Sequence, residues 1–113
     1  MMELLRVTGL SSDALTAAAE FHAEWLARAR ALAGTTDLTL VFAPADHTHT
    51  GWRLGALQGL AREAVPQRVN AIASDDSAAI AAALDFLTGA AGVTGQYLPL
   101  DSAGAGAVIT SAS

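Results

Sequence analysis

Three side chains in one short run could do chemistry together: Asp46, His47 and His49, in the stretch DHTH. Two imidazoles at i and i+2 beside a carboxylate can ligate zinc or another divalent ion. The plainer expectation for the same residues is a polar loop ahead of a helix, with Thr48 or Thr50 as its N-cap. A closed zinc site takes four ligands, and His22 is the one histidine left to supply another. His22 falls on an apolar helical stripe, where a packed, hydrogen-bonded imidazole is expected rather than a catalytic one. Asp75 and Asp76 are adjacent acids, but they open a helix, so capping and the helix dipole account for them. Asn70 lies in the middle of a strand and is expected to make a local structural hydrogen bond.

Composition removes whole classes of mechanism. The chain has 113 residues, with 11 Asp+Glu against 6 Lys+Arg, a net charge of −5 and no cysteine. The basic residues are Arg6, Arg28, Arg30, Arg53, Arg62 and Arg68, and there is no lysine. Schiff bases, a P-loop lysine and thiol chemistry are therefore excluded. The acidic balance argues against nucleic acid as a partner. No apolar run approaches the roughly 18–20 residues of a membrane span, and residues 1–6 show no signal-peptide pattern. The expectation is a cytoplasmic protein without a membrane partner, with one domain over residues 1–101 and a loose Gly/Ser/Ala tail over 102–113.

The elements that must position these residues alternate between strand and helix. Residues 3–8 read as a short strand. Ser11-Ser12-Asp13 caps a helix running to Ala33, stopped by Gly34. Its apolar stripe is Leu15, Ala18, Ala19, His22, Trp25, Leu26, Ala29 and Leu32, with Glu24 and Arg28 as an i,i+4 pair on the other side. Residues 38–43 (LTLVFA) suit a strand buried on both faces of a parallel sheet. A second helix spans 51–64, ending before Pro66. Residues 68–73 (RVNAIA) form a third strand. Asp76 and its neighbours cap a third helix ending at Gly89, with Ile80, Ala83, Leu84 and Leu87 facing inward. Residues 96–100 form a last strand that Pro99 confines to an edge. The order β-α-β-α-β-α-β predicts a small Rossmann-like, three-layer α/β fold with a parallel sheet and right-handed crossovers.

Three motifs carry a resemblance. Ala56-Leu57-Gln58-Gly59-Leu60-Ala61-Arg62-Glu63, then Arg68-Val69-Asn70-Ala71-Ile72, then Val93-Thr94-Gly95-Gln96 with Leu98-Pro99-Leu100-Asp101 are similar to the C-terminal half of the short-chain dehydrogenase/reductase family. That resemblance implies a Rossmann-like fold and, in the family, redox chemistry on carbonyl or hydroxyl groups with a nicotinamide cofactor. It also implies a Tyr-x-x-x-Lys pair, which would fall near Asp46 and Thr50 here. The only tyrosine is Tyr97, on the last strand, and lysine is absent, so the pair cannot form. The family's glycine-rich cofactor loop is equally degraded. Gly9 stands at its first glycine, but Asp13 and Leu15 stand at the second and third, and a carboxylate there repels phosphate. Residues 3–8 correspond either to the family's first strand or to its central fourth strand, with the nucleotide-binding half deleted. No cofactor and no metal are expected to be bound, and no residue is assigned a catalytic role.

Gly51, Gly55 and Gly59 recur at i, i+4 and i+8 along one face of the second helix. Each costs about 0.8–1 kcal/mol relative to Ala in a helix interior, so something needs a bare backbone ridge there. Either the helix packs closely on its own sheet, or another helix approaches it. In the family that the sequence resembles, this helix and the preceding one pair with their copies in a dimer. Phe21, Trp25 and Trp52 are the bulky residues on those helices. The expected interface is therefore Phe21, Trp25, Gly51, Trp52, Gly55 and Gly59. The expected protein is a non-catalytic, truncated relative of short-chain dehydrogenases acting as a structural or regulatory homodimer, or as the partner of a full-length relative. The competing expectations are a small enzyme or a metal- or ligand-binding protein using Asp46, His47 and His49, and a residual NAD(P)-binding oxidoreductase.

Overall fold

The computed structural model describes residues 2–100. Strands β1 (Met2–Val7), β2 (Asp37–Phe42), β3 (Val69–Ala73) and β4 (Tyr97–Pro99) form one sheet in the order β1-β2-β3-β4, with every neighbouring pair parallel. Leu40 of β2 lies between Leu5 and Ala71, which sets the register across the centre. The apolar runs of β2 and β3 are buried on both faces, as a sheet sandwiched by helices requires. Pro99 closes β4, an edge strand that needs no ladder donor on its outer side. The predicted loose tail over 102–113 lies outside the described residues.

Among the described residues, four helices cover the sheet: α1 (Ala14–Glu24), α2 (Leu26–Ala33), α3 (Thr50–Ala64) and α4 (Ser77–Gly89). Asp13 caps α1, its carboxylate accepting from the Thr16 N–H at 2.9 Å. Asp76 caps α4 by accepting from the Ala78 N–H. The single helix expected over 13–33 bends at Trp25. The hydrogen bonds run on through the bend, from Trp25 N–H to Phe21 O and from Ala29 N–H to Trp25 O. Arg28 does not pair with Glu24 there; its guanidinium lies over the Trp25 indole at 4.7 Å.

The buried face of α1 differs from the expected stripe. Ala17 and Phe21 point into the core, while Leu15 is 83% exposed and Ala19 and His22 also face outward. Burying the phenyl ring of Phe21 outweighs burying Leu15, because α1 is otherwise mostly alanine and either face is apolar enough. Phe21 stacks with Phe42 and Trp52, the three centroids lying 5.5–5.8 Å apart. These belong to a core between the sheet and α1–α3 that includes Leu38, Leu40 and Leu57. A second core on the other face joins Val41 and Ile72 to Ile80, Ala83 and Leu87 of α4.

This division of helices corrects one expectation. All three connections step the same way across the sheet, yet two pass over one face and the α4 connection passes over the other. The α4 crossover is therefore opposite in hand to the other two. Right-handed crossovers are the strong rule for parallel strands, and β3-α4-β4 is the connection that departs from it.

Candidate functional site

The carboxyl ends of β1 and β2 open into a cleft of about 320 Å³, lined by residues 7–12, residues 42–46, His49 and Arg53. In a parallel sheet this is the end where ligands bind, because the strands stop there and the loops that follow are free to vary. Gly9 turns the chain out of β1 with φ +76°, a conformation that favours glycine. Of the DHTH run, Asp46 and His49 line the cleft, Asp46 capping a single 3-10 turn (His47–His49) that leads into α3.

Within that turn, the structure pulls apart the ligand set of the competing metal-binding reading. The Asp46 carboxylate caps the turn, accepting from the Thr48 N–H at 3.0 Å and from the Thr48 hydroxyl. These hydrogen bonds with Thr48 hold its pKa below the ordinary carboxylate range against the opposing effect of desolvation, with His49 and His47 adding less. His47 is exposed. His49 is buried and uses both ring nitrogens: Nδ1 accepts from the Trp52 indole N–H at 3.1 Å, and Nε2 donates to the Ser12 carbonyl at 3.0 Å. With its free lone pair spent on Trp52, His49 has none to offer a metal. Among the described residues, no group of three or more metal-ligating side chains is assembled. His49 instead ties the loop after β1 to the start of α3. His22, expected to be packed, is exposed, and its Nδ1 donates to the Ala18 carbonyl at 2.7 Å. Thr50 begins α3, and its N-cap position falls on His49 rather than on a threonine.

Arg53 was not foreseen as a site residue. It is only 4% exposed, and it lines the cleft. Both of its hydrogen bonds leave Nη1, to the Ala43 carbonyl at 2.9 Å and to the Tyr97 hydroxyl at 3.1 Å. Its guanidinium carbon lies 4.5 Å from the Phe42 ring centroid and 5.7 Å from that of Trp52. The signal was present in the sequence: Arg53 stands at i relative to Leu57, Leu60 and Ala61 at i+4, i+7 and i+8, which are the buried residues of α3.

The motif residues at the other side of the sheet meet one another. The Asn70 side chain, fully buried, donates to the Val93 carbonyl and accepts from the Gln96 N–H, each at 3.0 Å. The bond is long-range in sequence rather than local. The Val69 N–H donates to the Thr94 hydroxyl, and Gly95, with φ +75°, donates its N–H to the Val69 carbonyl at 2.7 Å. Arg68 binds Asp37 through Nε and Nη2 and caps the end of α4 by donating Nη1 to the Leu87 and Ala90 carbonyls. The RVNA and VTGQ runs thus form one clamp that sets β4 beside β3.

The expected interface residues divide. Phe21 is fully buried in its own subunit and offers no surface to a second copy. Trp25 and Trp52 are half-buried, and Gly51, Gly55 and Gly59 lie on the outer side of α3. A Cβ added at any of these glycines would meet nothing within 4 Å, so the ridge does not serve packing on the protein's own sheet. A groove of about 280 Å³ is lined among others by two of these glycines, Gly55 and Gly59, by His22 and Leu26, and by the ion-paired Arg30 and Glu63.

A parallel four-stranded sheet with helices on both faces and a ligand-accessible cleft at its carboxyl end defines a Rossmann-like α/β protein. The family model described as short chain dehydrogenase-like protein matches residues 5–100, and the chain belongs to that SDR-like family. Neither the curated proteins nor the solved structures compared with it give a match. The sheet order also bears on the two alignments of β1. In the doubly wound order 3-2-1-4-5-6 the fourth, fifth and sixth strands are consecutive neighbours, as β1, β2 and β3 are here, whereas the first and fifth are not. Among the described residues, no helix is long and apolar enough to cross a membrane.

Proposed function

We propose that this chain is a non-catalytic SDR-like module whose role is to associate, through the outer face of α1–α2 and α3, with a second copy of itself. The glycine ridge carries the reading. Gly55 and Gly59, in the interior of α3, each weaken it by about 0.8–1 kcal/mol relative to Ala, and the fold around all three glycines does not require their smallness. A closely approaching helix does require it, because a bare ridge lets two backbones come together and bury more surface. The surroundings suit such a partner: Leu15 stands 83% exposed on the neighbouring helix, and Leu26 and Trp25 are covered only in part.

The non-catalytic part of the reading rests on chemistry that the residues cannot supply. The chain has no lysine, and its one tyrosine lies on β4 with its hydroxyl bonded to Arg53. A partnership with a full-length relative would use the same outer face and is the second reading. Light scattering over a dilution series, with a thermal-shift screen against NAD(H) and NADP(H), tests both parts. A concentration-dependent dimer with no cofactor shift supports the proposal. A monomer at every concentration, or saturable nicotinamide-cofactor binding, overturns it.

A further inference from the structure

We propose that the cleft at the carboxyl ends of β1 and β2 binds a small oxyanion, a carboxylate or a phosphate, through the positive charge of Arg53. The observation is a charge without a counter-charge. A buried guanidinium is ordinarily matched by a carboxylate, since taking a cation out of water is costly unless an anion compensates it. Arg68, largely buried, follows that rule by holding Asp37 at 2.8 Å, and even the exposed Arg30 holds Glu63 at 2.8 Å. Arg53 is more buried than either, yet among the described residues no carboxylate reaches it. Its two hydrogen bonds go to neutral acceptors, and its Nε is closed off from water with no partner at all. Stacking on Phe42 and Trp52 offsets part of the desolvation but supplies no negative charge.

The position adds to the argument. Arg53 lines the cleft together with Thr8, Ser11, Ser12 and Gly9. Small hydroxyl residues and bare backbone suit an oxyanion, which takes several donors at once. The volume, about 320 Å³, stands at the lower end of the range for small-molecule sites. Two carboxylates oppose the ligand: Glu20 accepts from the Ser11 N–H at 2.7 Å beside the cleft, and Asp46 stands at the rim, with its carboxylate turned onto Thr48. The Asp46 charge is expected to weaken binding, which makes it a useful control.

The test titrates the 113-residue chain separately with inorganic phosphate, acetate and succinate at constant ionic strength, reading tryptophan fluorescence and melting temperature. Trp52 lies close enough to the guanidinium to report occupancy. Saturable binding with a rise in melting temperature is expected, and which anion saturates identifies the ligand as phosphate or carboxylate. Arg53→Gln should weaken it about tenfold or more, the usual worth of a charged hydrogen bond. Should that variant fail to fold, Ala45→Glu places a carboxylate on the cleft wall without touching the core and should give the same loss. Asp46→Asn keeps the capping oxygen, removes the charge and should tighten binding. No saturable change with any of the anions, or affinity unaltered in Ala45→Glu, overturns the proposal.

Discussion

Arg68 holds the Asp37 carboxylate at 2.8 Å with Nη2 while its Nη1 donates to the last carbonyls of α4, so one side chain joins β2, β3 and α4. Burial pushes the Asp37 carboxyl upward, but the Arg68 N–H, its guanidinium hydrogen bonds and its charge outweigh that and hold the pKa below 3.8. A carboxyl whose folded pKa is depressed stabilises fully above its unfolded pKa, and the contribution disappears as pH falls through the folded value. Asp37→Asn should therefore cost about 1.5–3 kcal/mol at neutral pH. The gap from the native chain should shrink in acid, below about pH 4, in urea denaturation. An equal gap at pH 7 and pH 3 would contradict this account.

The glycine ridge gives a prediction with opposite signs. Gly55→Ala and Gly59→Ala meet open space in the isolated subunit, so each should raise its stability by about 0.8–1 kcal/mol. The same methyl groups would hold two backbones apart and weaken self-association. Chemical denaturation at low concentration and light scattering at high concentration read the two effects separately. A gain in stability with association unchanged would remove the ridge from the interface.

His49 joins the loop after β1 to the first turn of α3. His49→Leu fills similar space but leaves the Trp52 indole N–H and the Ser12 carbonyl without partners. The cost should be about 1–3 kcal/mol for each group that stays buried, with faster amide exchange in residues 8–12. Added zinc should not change the melting temperature of the native chain, since neither His49 nitrogen is free.

Asn70→Leu tests whether the clamp is structural. It orphans the Gln96 N–H and the Val93 carbonyl, at about 1–3 kcal/mol for each that stays buried. Protection from amide exchange should fall first around β4, the short edge strand held by few other bonds. Uniform loss across the sheet would show instead that β4 opens only together with the whole sheet.

Much of the fold is legible along the chain because its signals are local. Asp13 and Asp76 sit where helix N–H groups need acceptors, the LTLVF run is apolar at every position but Thr39, and Pro99 keeps β4 at an edge. The RVNA and VTGQ runs announced the family before their contacts were known. Their resemblance was visible, but the reason for it, an Asn70 side chain reaching across 26 residues to Gln96, was not. The site was less legible. Asp46, His47 and His49 looked like a ligand set because they are close in sequence, yet hydrogen bonds to Thr48, Trp52 and Ser12 redirect two of the three.

Sequence alone determined the order of strands and helices, the caps of α1 and α4 and the exclusion of amine and thiol chemistry, because each depends on residue identity or near neighbours. Tertiary structure decided which way α1 turns, that Phe21 is core and the glycine ridge is surface, that the α4 crossover takes the opposite hand, and that Arg53 is buried. The reason lies in the composition. Alanine-rich helices are apolar on every side, so periodicity alone does not select a face. The choice falls to the few large side chains, and those find their places only once the sheet exists for Phe21, Trp52 and Arg53 to pack against.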